Sequence, residues 1–347
     1  MELEIYSGSD GLAQIQPDWE ALEARTDCHI FQTFAYAQLW QTTVGEPSGA
    51  TPLIAVVREG DTAVGIFPVC RVRVAGIPVL TWLGGPSLLD YGDALFDTAA
   101  SSVAVDEFIG TALTTLREHA RGSLLYLVNV REDAQAMAAL RARLRVYKES
   151  TAPYVEIGGD FDAYLRSLGK MRHEIERRRR RITEAGSVEL GLLCPGDPRV
   201  GPTMQWLIDH QQERFKGHLG ESRSREHRHA AYRMEQAVHD PHSRIATLSL
   251  DGTLIAALLH VVYRGRMYCL MPTFDTQYAQ YAPGRLLQAR VIEMCFEERL
   301  NPCDFGWGDE AYKYQWTKLD VGLTTFTSEG ADGALLVAVA ELARRIT

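Results

Sequence analysis

The stretch DGTLIAALLHVVYRGRMYCLMPTFDTQYAQYAPGRLLQARVIE runs from Asp251 to Glu293 and sets the reading of the whole chain. Asp-Gly-Thr at 251–253 is a hairpin signal between the β-branched runs SRIATLSL and TLIAALLHVVY. A third run, RMYCLMPT, follows at once. Pro283 then suits the first turn of a helix, where a missing N–H costs little, and Gly284 permits close backbone approach. Three strands in a meander followed by a helix is an α+β pattern, with the helix returning over the sheet.

Reading downstream, CDFGWGDEAYKYQW occupies 303–316. CDFGW is expected as a strand that delivers Asp304, Phe305 and Trp307 in alternation to its two faces. Gly306 and Gly308 then relax the backbone where another strand or a ligand comes near. Asp309 is expected to cap a short helix on which Glu310 and Lys313 are i,i+3 neighbours while Tyr312 points elsewhere. The strand LTTFTS and a terminal helix complete the chain.

Reading upstream, two helices are expected at about 202–217 and 224–238, after the strand SVELGLL and the loop PGDPRVGP. Before them lie the helical FDAYLRSL and the basic helix KMRHEIERRRRRITEAG, with Gly186 as its C-cap. The front half has the same order. LEIY is followed by a helix WEALEA capped by Asp18 and a second helix in FQTFAYAQLW. Next come the strands PLIAVVRE, TAVGIFPVCRVRV and PVLTWL, a Gly-Gly-Pro turn into LLDYGDALF, and a helix over about 101–120. The strand SLLYLVNV and a helix from about 132 to 142 end it. The expected fold is therefore mixed α/β of the α+β kind: two units side by side, 1–153 and 154–347, each a mostly antiparallel sheet flanked by helices.

A chain of 347 residues, 46% hydrophobic and 23% charged, suits two soluble globular units. No apolar run nears the roughly 20 residues of a membrane span, and MELEIYSGSD lacks the regions of a signal peptide, so a cytoplasmic location is expected. The six cysteines are dispersed without a C-x-x-C pair, which argues against a disulfide framework and a cysteine zinc site. His227 and His229 lie on different helix faces, so no metal is expected there. Residues 1–150 carry 11 Lys+Arg against 19 Asp+Glu, and the rest 25 against 26. An acidic front half does not suit a nucleic-acid wrapper but can attract a cationic substrate.

Lys170 to Arg181 holds seven basic and two acidic residues, too many to face one partner on a helix. Arg172 with Glu176 and Glu174 with Arg178 are i,i+4 pairs of the kind a solvated helix uses. The alternative is a phosphate-binding helix. Asp275, just past a strand, is either a turn former or an acid able to take a proton from an attacking ammonium. Arg214, Lys216 and His218 close a helix, where they complement its C-terminal dipole. Asp90 follows the Gly-Gly-Pro turn and reads as a turn residue on its own.

Three of these stretches, the basic helix, the hairpin with its sequel and CDFGWGDEAYKYQW, resemble the GNAT acyltransferase superfamily. Within it they resemble the branch of CelD-like proteins and Fem-type aminoacyltransferases, over about residues 160–320. FQTFAYAQLW, GIFPV and LLDYGDALF look like the N-terminal unit of the same branch. The resemblance implies an N-acyltransferase that moves an acyl or aminoacyl group to an amine by direct attack, in a cleft between two GNAT-like units. No cofactor is held permanently; acyl-CoA is the favoured co-substrate and aminoacyl-tRNA the alternative, and a degenerate binding or scaffold protein is a third reading. It further implies a donor pyrophosphate at Pro283, Gly284 and Arg285, with phosphate contacts from Lys170, Arg172 and Arg177. Pro283 and Arg285 stand where the superfamily has small residues. Tyr312 would protonate the leaving group and Lys313 steady its charge, with Glu310 and Asp275 completing the catalytic set. Asp90, Tyr281, Trp307 and Arg214 would line the substrate.

Overall fold

The computed structural model describes residues 2–74, 76–215 and 223–328, with the backbone alone at residues 2, 214, 215 and 223–226. Lys216, His218 and the expected terminal helix lie outside the described residues. The strands are β1 (Glu2–Ser7), β2 (Thr51–Glu59), β3 (Thr62–Val74), β4 (Ile77–Trp82), β5 (Leu95–Phe96), β6 (Leu124–Arg131), β7 (Arg145–Val155), β8 (Val188–Leu193), β9 (Ser243–Leu250), β10 (Thr253–Tyr263), β11 (Arg266–Phe274), β12 (Cys303–Asp304) and β13 (Leu319–Thr327). The α-helices are α1 (Gly8–Arg25), α2 (Phe34–Trp40), α3 (Gly85–Leu88), α4 (Val105–His119), α5 (Met137–Arg143), α6 (Phe161–Ser167), α7 (Lys170–Ala185), α8 (Val200–Phe215), α9 (Arg223–His239) and α10 (Pro283–Glu298).

Within the described residues, two compact units form, one from 2–150, 223–232 and 322–328 and the other from 151–215 and 233–321. In the first unit β1, β2, β3 and β4 pair antiparallel in turn, β4 pairs parallel with β6, and β6 pairs antiparallel with β13. In the second, β8, β9, β10 and β11 pair antiparallel in turn, β11 pairs parallel with β12, and β12 pairs antiparallel with β7. The two strand plans are the same. Each unit's last strand follows the other unit's strands along the chain, β7 coming after β6 and β13 after β12.

Both turns of the second meander are two-residue hairpins with positive φ at their central residues, Asp251 and Gly252, then Arg264 and Gly265. That backbone matches the right-handed twist of the flanking strands. Helix α10 lies along the meander with Leu286, Leu287, Ala289, Val291, Ile292 and Cys295 all buried. Helix α7 buries Ile175 and Ile182 in the same core, seven residues apart on one face, and packs Met171 against it. Each such burial is worth about 1.5–3 kcal/mol. Five of the six cysteines are buried and Cys194 is exposed.

Several local expectations are corrected. Helix α1 starts at Gly8 and runs through Pro17, so Asp18 is an interior residue paired with Arg58 rather than a cap. The buried face Leu12, Ile15, Trp19 and Leu22 is continuous, and its packing outweighs the N–H that Pro17 lacks. Strand β7, RVYKESTAPYV, was not anticipated. β12 is two residues long, and Asp304 and Phe305 are both buried while Trp307 is exposed. No helix starts at Asp309: a turn leads into a single 3-10 turn, Lys313–Gln315. His229 is half-buried, its Nε2 3.1 Å from Ser87 Oγ.

Gly186 ends α7 in extended backbone, not in the left-handed form of a typical glycine cap. Its reason is space: a Cβ there would lie 2.3 Å from the Asp251 carboxylate, which accepts a hydrogen bond from Ser187 N. Gly186→Ala is expected to cost about 1–3 kcal/mol by urea unfolding, from overpacking. In an Asp251→Gly background the added cost should fall below about 0.5 kcal/mol, because the clashing group is gone.

His260 sits on β10, 2% exposed, and burial lowers its pKa from the usual value to about 4. Between pH 6.5 and 4 the unfolded chain binds a proton that the folded chain refuses, so stability is complete above pH 6.5 and falls as the pH drops. The stability difference between pH 7 and 4.5 should be smaller in His260→Gln by about 2–3 kcal/mol, measured by urea unfolding at both pH values.

Candidate active site

The second unit has a break in its sheet. β11 and β12 pair only at Met267 with Cys303 and Tyr268 with Asp304. Past Asp304 the chain keeps to β7 instead: Phe305 N donates to Pro153 O at 3.0 Å and Gly308 N to Thr151 O at 3.0 Å. β11 continues to Phe274 without that neighbour. Along its other edge the register with β10 slips, Leu259 pairing with Met271 and His260 with Cys269. Leu270 is therefore the extra residue of a β-bulge, and its peptide has no ladder partner on β10. A parallel pair that parts, with a bulge at the point of parting, places main-chain polar groups in a gap between two strands. Nothing in the local sequence signals this, since the bulge depends on register with β10.

At the far end of β11, Asp275 caps the 3-10 segment Thr276–Tyr281 by accepting from Gln277 N at 2.9 Å. The turn-forming reading of Asp275 is the one its geometry displays. Ala282, with φ 52 and ψ 52, then turns the chain into α10. Pro283 has no N–H, while Arg285 N and Leu286 N both donate to Ala282 O. Of the first-turn amides this leaves that of Gly284, fewer than the several a bare helix start would offer. The Gly284 backbone lies close against the Phe274 ring, where a Cβ would come within 3.0 Å.

Three elements converge at this helix start. Arg285 Nη1 pairs with Glu174 of α7 at 2.7 Å, and its Nη2 donates to Gln315 Oε1 at 2.8 Å. Glu174 also takes Arg178 at 3.5 Å, and Arg178 donates to Gln280 O. Arg181 stands 6.0 Å above the Tyr281 ring. Arg172 is paired with Glu176 at 2.8 Å, as the spacing predicts, and Arg177 with Glu174 only at 4.0 Å. The exposed cations of α7 are thus Arg177, Arg179, Arg180 and Arg181, with Lys170 at its first residue.

Lys313 departs most from its expected role. It is 3% exposed, and its ammonium donates to the carbonyls of Gly306 (3.1 Å), Trp307 (2.7 Å) and Gly308 (3.2 Å). The fourth neighbour is Glu310 Oε2 at 2.8 Å, the predicted i,i+3 partner. An ammonium has three hydrogens, so these four acceptors occupy it fully. Lys313 ties the turn after β12 together from behind rather than reaching outward. Gly306 and Gly308, with φ of 71 and 114, supply the backbone that this ring of carbonyls needs. Asp304 fastens the same turn by accepting from Gly306 N at 2.8 Å. Trp307 and Tyr312 are left exposed on its outside.

In the first unit, Asp90 is half-buried in the loop after α3. In the same stretch, Asp93, which sequence reading passed over, has a defined structural task. Its oxygens accept from Ala94 N, Gln135 N and Ala136 N at 2.8–3.0 Å, and burial raises its pKa to about 6. The side chain of Arg214 lies outside the described residues. Among the described residues no group of His, Cys, Asp or Glu is arranged to hold a metal ion, and no helix is long and apolar enough to cross a membrane.

Residues 169–314 match the acetyltransferase (GNAT) domain family, the superfamily that the sequence resembles. No curated protein sequence matches the chain. Solved structures share the fold over nearly the full length. FemX is 13% identical with a TM-score of 0.64, covering 98% of this chain and 100% of its own. L-PGS from Bacillus licheniformis is 13% identical at 0.57, covering 95% and 97%. A conserved protein of unknown function from Bacteroides thetaiotaomicron is 12% identical at 0.58, covering 90% and 97%.

Proposed function

We propose that the protein is an N-acyltransferase that moves an acyl group from an acyl-CoA thioester to an amine. The observation that carries this reading is the gap where β11 leaves β12, with the Leu270 bulge at its head and the start of α10 at its end. An extended thioester arm fits a strand-sized gap, since the unpaired edge of β11 offers it main-chain partners. Gly284 N–H, Arg285 and the positive end of α10 suit the pyrophosphate at the arm's far end.

The amine nitrogen attacks the carbonyl carbon, and the oxyanion is held by peptide N–H groups at the Leu270 bulge. The C–S bond then breaks, and the departing thiolate takes the phenolic proton of Tyr312. The proton lost by the nitrogen goes to water or to Asp275 at the end of β11. Lys313 acts through the turn, which fixes where Tyr312 stands. No covalent enzyme intermediate is involved, so the gain comes from positioning, worth up to roughly 7–11 kcal/mol in favourable cases, and from electrostatics.

The test is acyl transfer from acetyl-CoA to a panel of primary amines, followed by thiol release and product mass. Amine-dependent thiol release, reduced in Tyr312→Phe, is expected. Absence of thiol release with every amine would contradict the thioester reading.

The exposed arginines of α7 favour a second reading, with an aminoacyl-tRNA as donor. The fold shared with FemX is compatible with it. Activity would then vanish after ribonuclease treatment and fall steeply with salt, whereas a thioester-driven enzyme would keep its rate after ribonuclease.

A further inference from the structure

The two units share one strand plan, so the first should contain the counterpart of the β11–β12 gap. It does: β4 and β6 pair in parallel only at Val79 with Leu124 and Leu80 with Leu125. Counting on from the last pair, Trp82 stands where Leu270 stands, Leu127 where Gly306 stands, and Val128 where Trp307 stands. The contents of the two gaps differ. Trp82 reaches across with its indole and donates from Nε1 to Val128 O at 3.1 Å. The loop after α3 then seals the opening: Gly92 N donates to Asn129 O at 3.2 Å, and Asn129 Nδ2 to Leu89 O at 3.4 Å. A Cβ on Gly92 would lie 2.1 Å from the indole nitrogen, so the loop backbone lies directly on the ring. Trp82, Leu83, Leu88, Leu89 and Tyr91 are each 5% exposed or less.

The helix that follows differs as well. α10 begins after the short segment 275–282, with Gly284 and Arg285 in its first turn. α4 begins only after 83–104, and its first turn carries Asp106 and Glu107, which repel an anionic group. The Leu270 side chain, unlike that of Trp82, has no polar hydrogen to donate, and Gly306 has no side chain to fill the gap.

We infer that the first unit has its donor gap closed by Trp82 and the Leu89–Gly92 loop, so that each chain holds one acyl donor, in the second unit only. The inference rests on the donor reading above for the second unit, while closure of the first stands on its own packing.

Two measurements test it on the full-length chain. Native mass spectrometry with coenzyme A as the probe is expected to saturate at one molecule per chain; two per chain would overturn the inference. Hydrogen exchange without any ligand is expected to show amides of 81–83 and 127–129 exchanging about tenfold or more slowly than those of Leu270, Met271 and Thr273, as a packed segment does beside an open one. Equal exchange in the two gaps would overturn closure. Failure of coenzyme A to bind at all, with the exchange contrast intact, would count against the thioester donor and leave the closed first unit upheld.

Discussion

Lys313→Ala is expected to lower turnover by about 100-fold, the size of effect that a displacement near 1 Å at a positioned group produces. It should also lower stability by about 3 kcal/mol, since three carbonyls lose their shared buried donor. The two losses have one cause, the slackening of the 306–308 turn. Lys313→Arg should not restore the rate, because a planar guanidinium cannot direct its hydrogens at three oxygens around a point. Tyr164→Phe is the control. It removes one hydrogen bond, to Trp316 O at 2.8 Å, and should cost about 1 kcal/mol in stability with little change in rate. Steady-state kinetics and thermal unfolding of the three variants decide the matter. Comparable rate losses in Lys313→Ala and Tyr164→Phe would remove the particular role of Lys313.

Arg285→Glu is expected to raise the KM for acyl-CoA by about 100-fold, near the upper end of what removing and reversing one phosphate-facing charge achieves. The substituted carboxylate would also face Glu174, so α10, α7 and the turn at Gln315 would lose their common tie. Arg285→Gln separates the two effects. It keeps a donor for Glu174 without the charge and should raise KM by about tenfold with kcat nearly unchanged. A fall in kcat alone, with KM unmoved in both variants, would place Arg285 in packing rather than in donor binding.

The parts of this molecule that local chemistry decides were legible in the sequence. Asp251-Gly252 specified its own turn, Pro283 its own helix start, and the Glu310–Lys313 spacing its own ion pair. What escaped depended on partners distant in sequence. Strand β7 reads as polar loop because only Ala152, Pro153 and Val155 of its residues are buried, and its pairing with β12 is invisible until both are placed. The bulge at Leu270 exists only as a mismatch with β10. Lys313 looked like a surface cation because charge is usually solvated. The pair of glycines at 306 and 308, which free three carbonyls to turn inward, was the available sign that it is not. The start of α10 has fewer open amides than its sequence pattern suggests for a related reason: Ala282 O draws in two of them.

The most direct test of the account is to label the donor site itself. A CoA thioester bearing a photoreactive diazirine acyl group is bound to the intact chain, irradiated, and the modified peptides are mapped by mass spectrometry. The account predicts adducts within 268–274 and 305–312, competed away by acetyl-CoA and absent from the peptides that carry 80–92. Adducts concentrated at the Trp82 gap, or spread without competition over the surface, would contradict it.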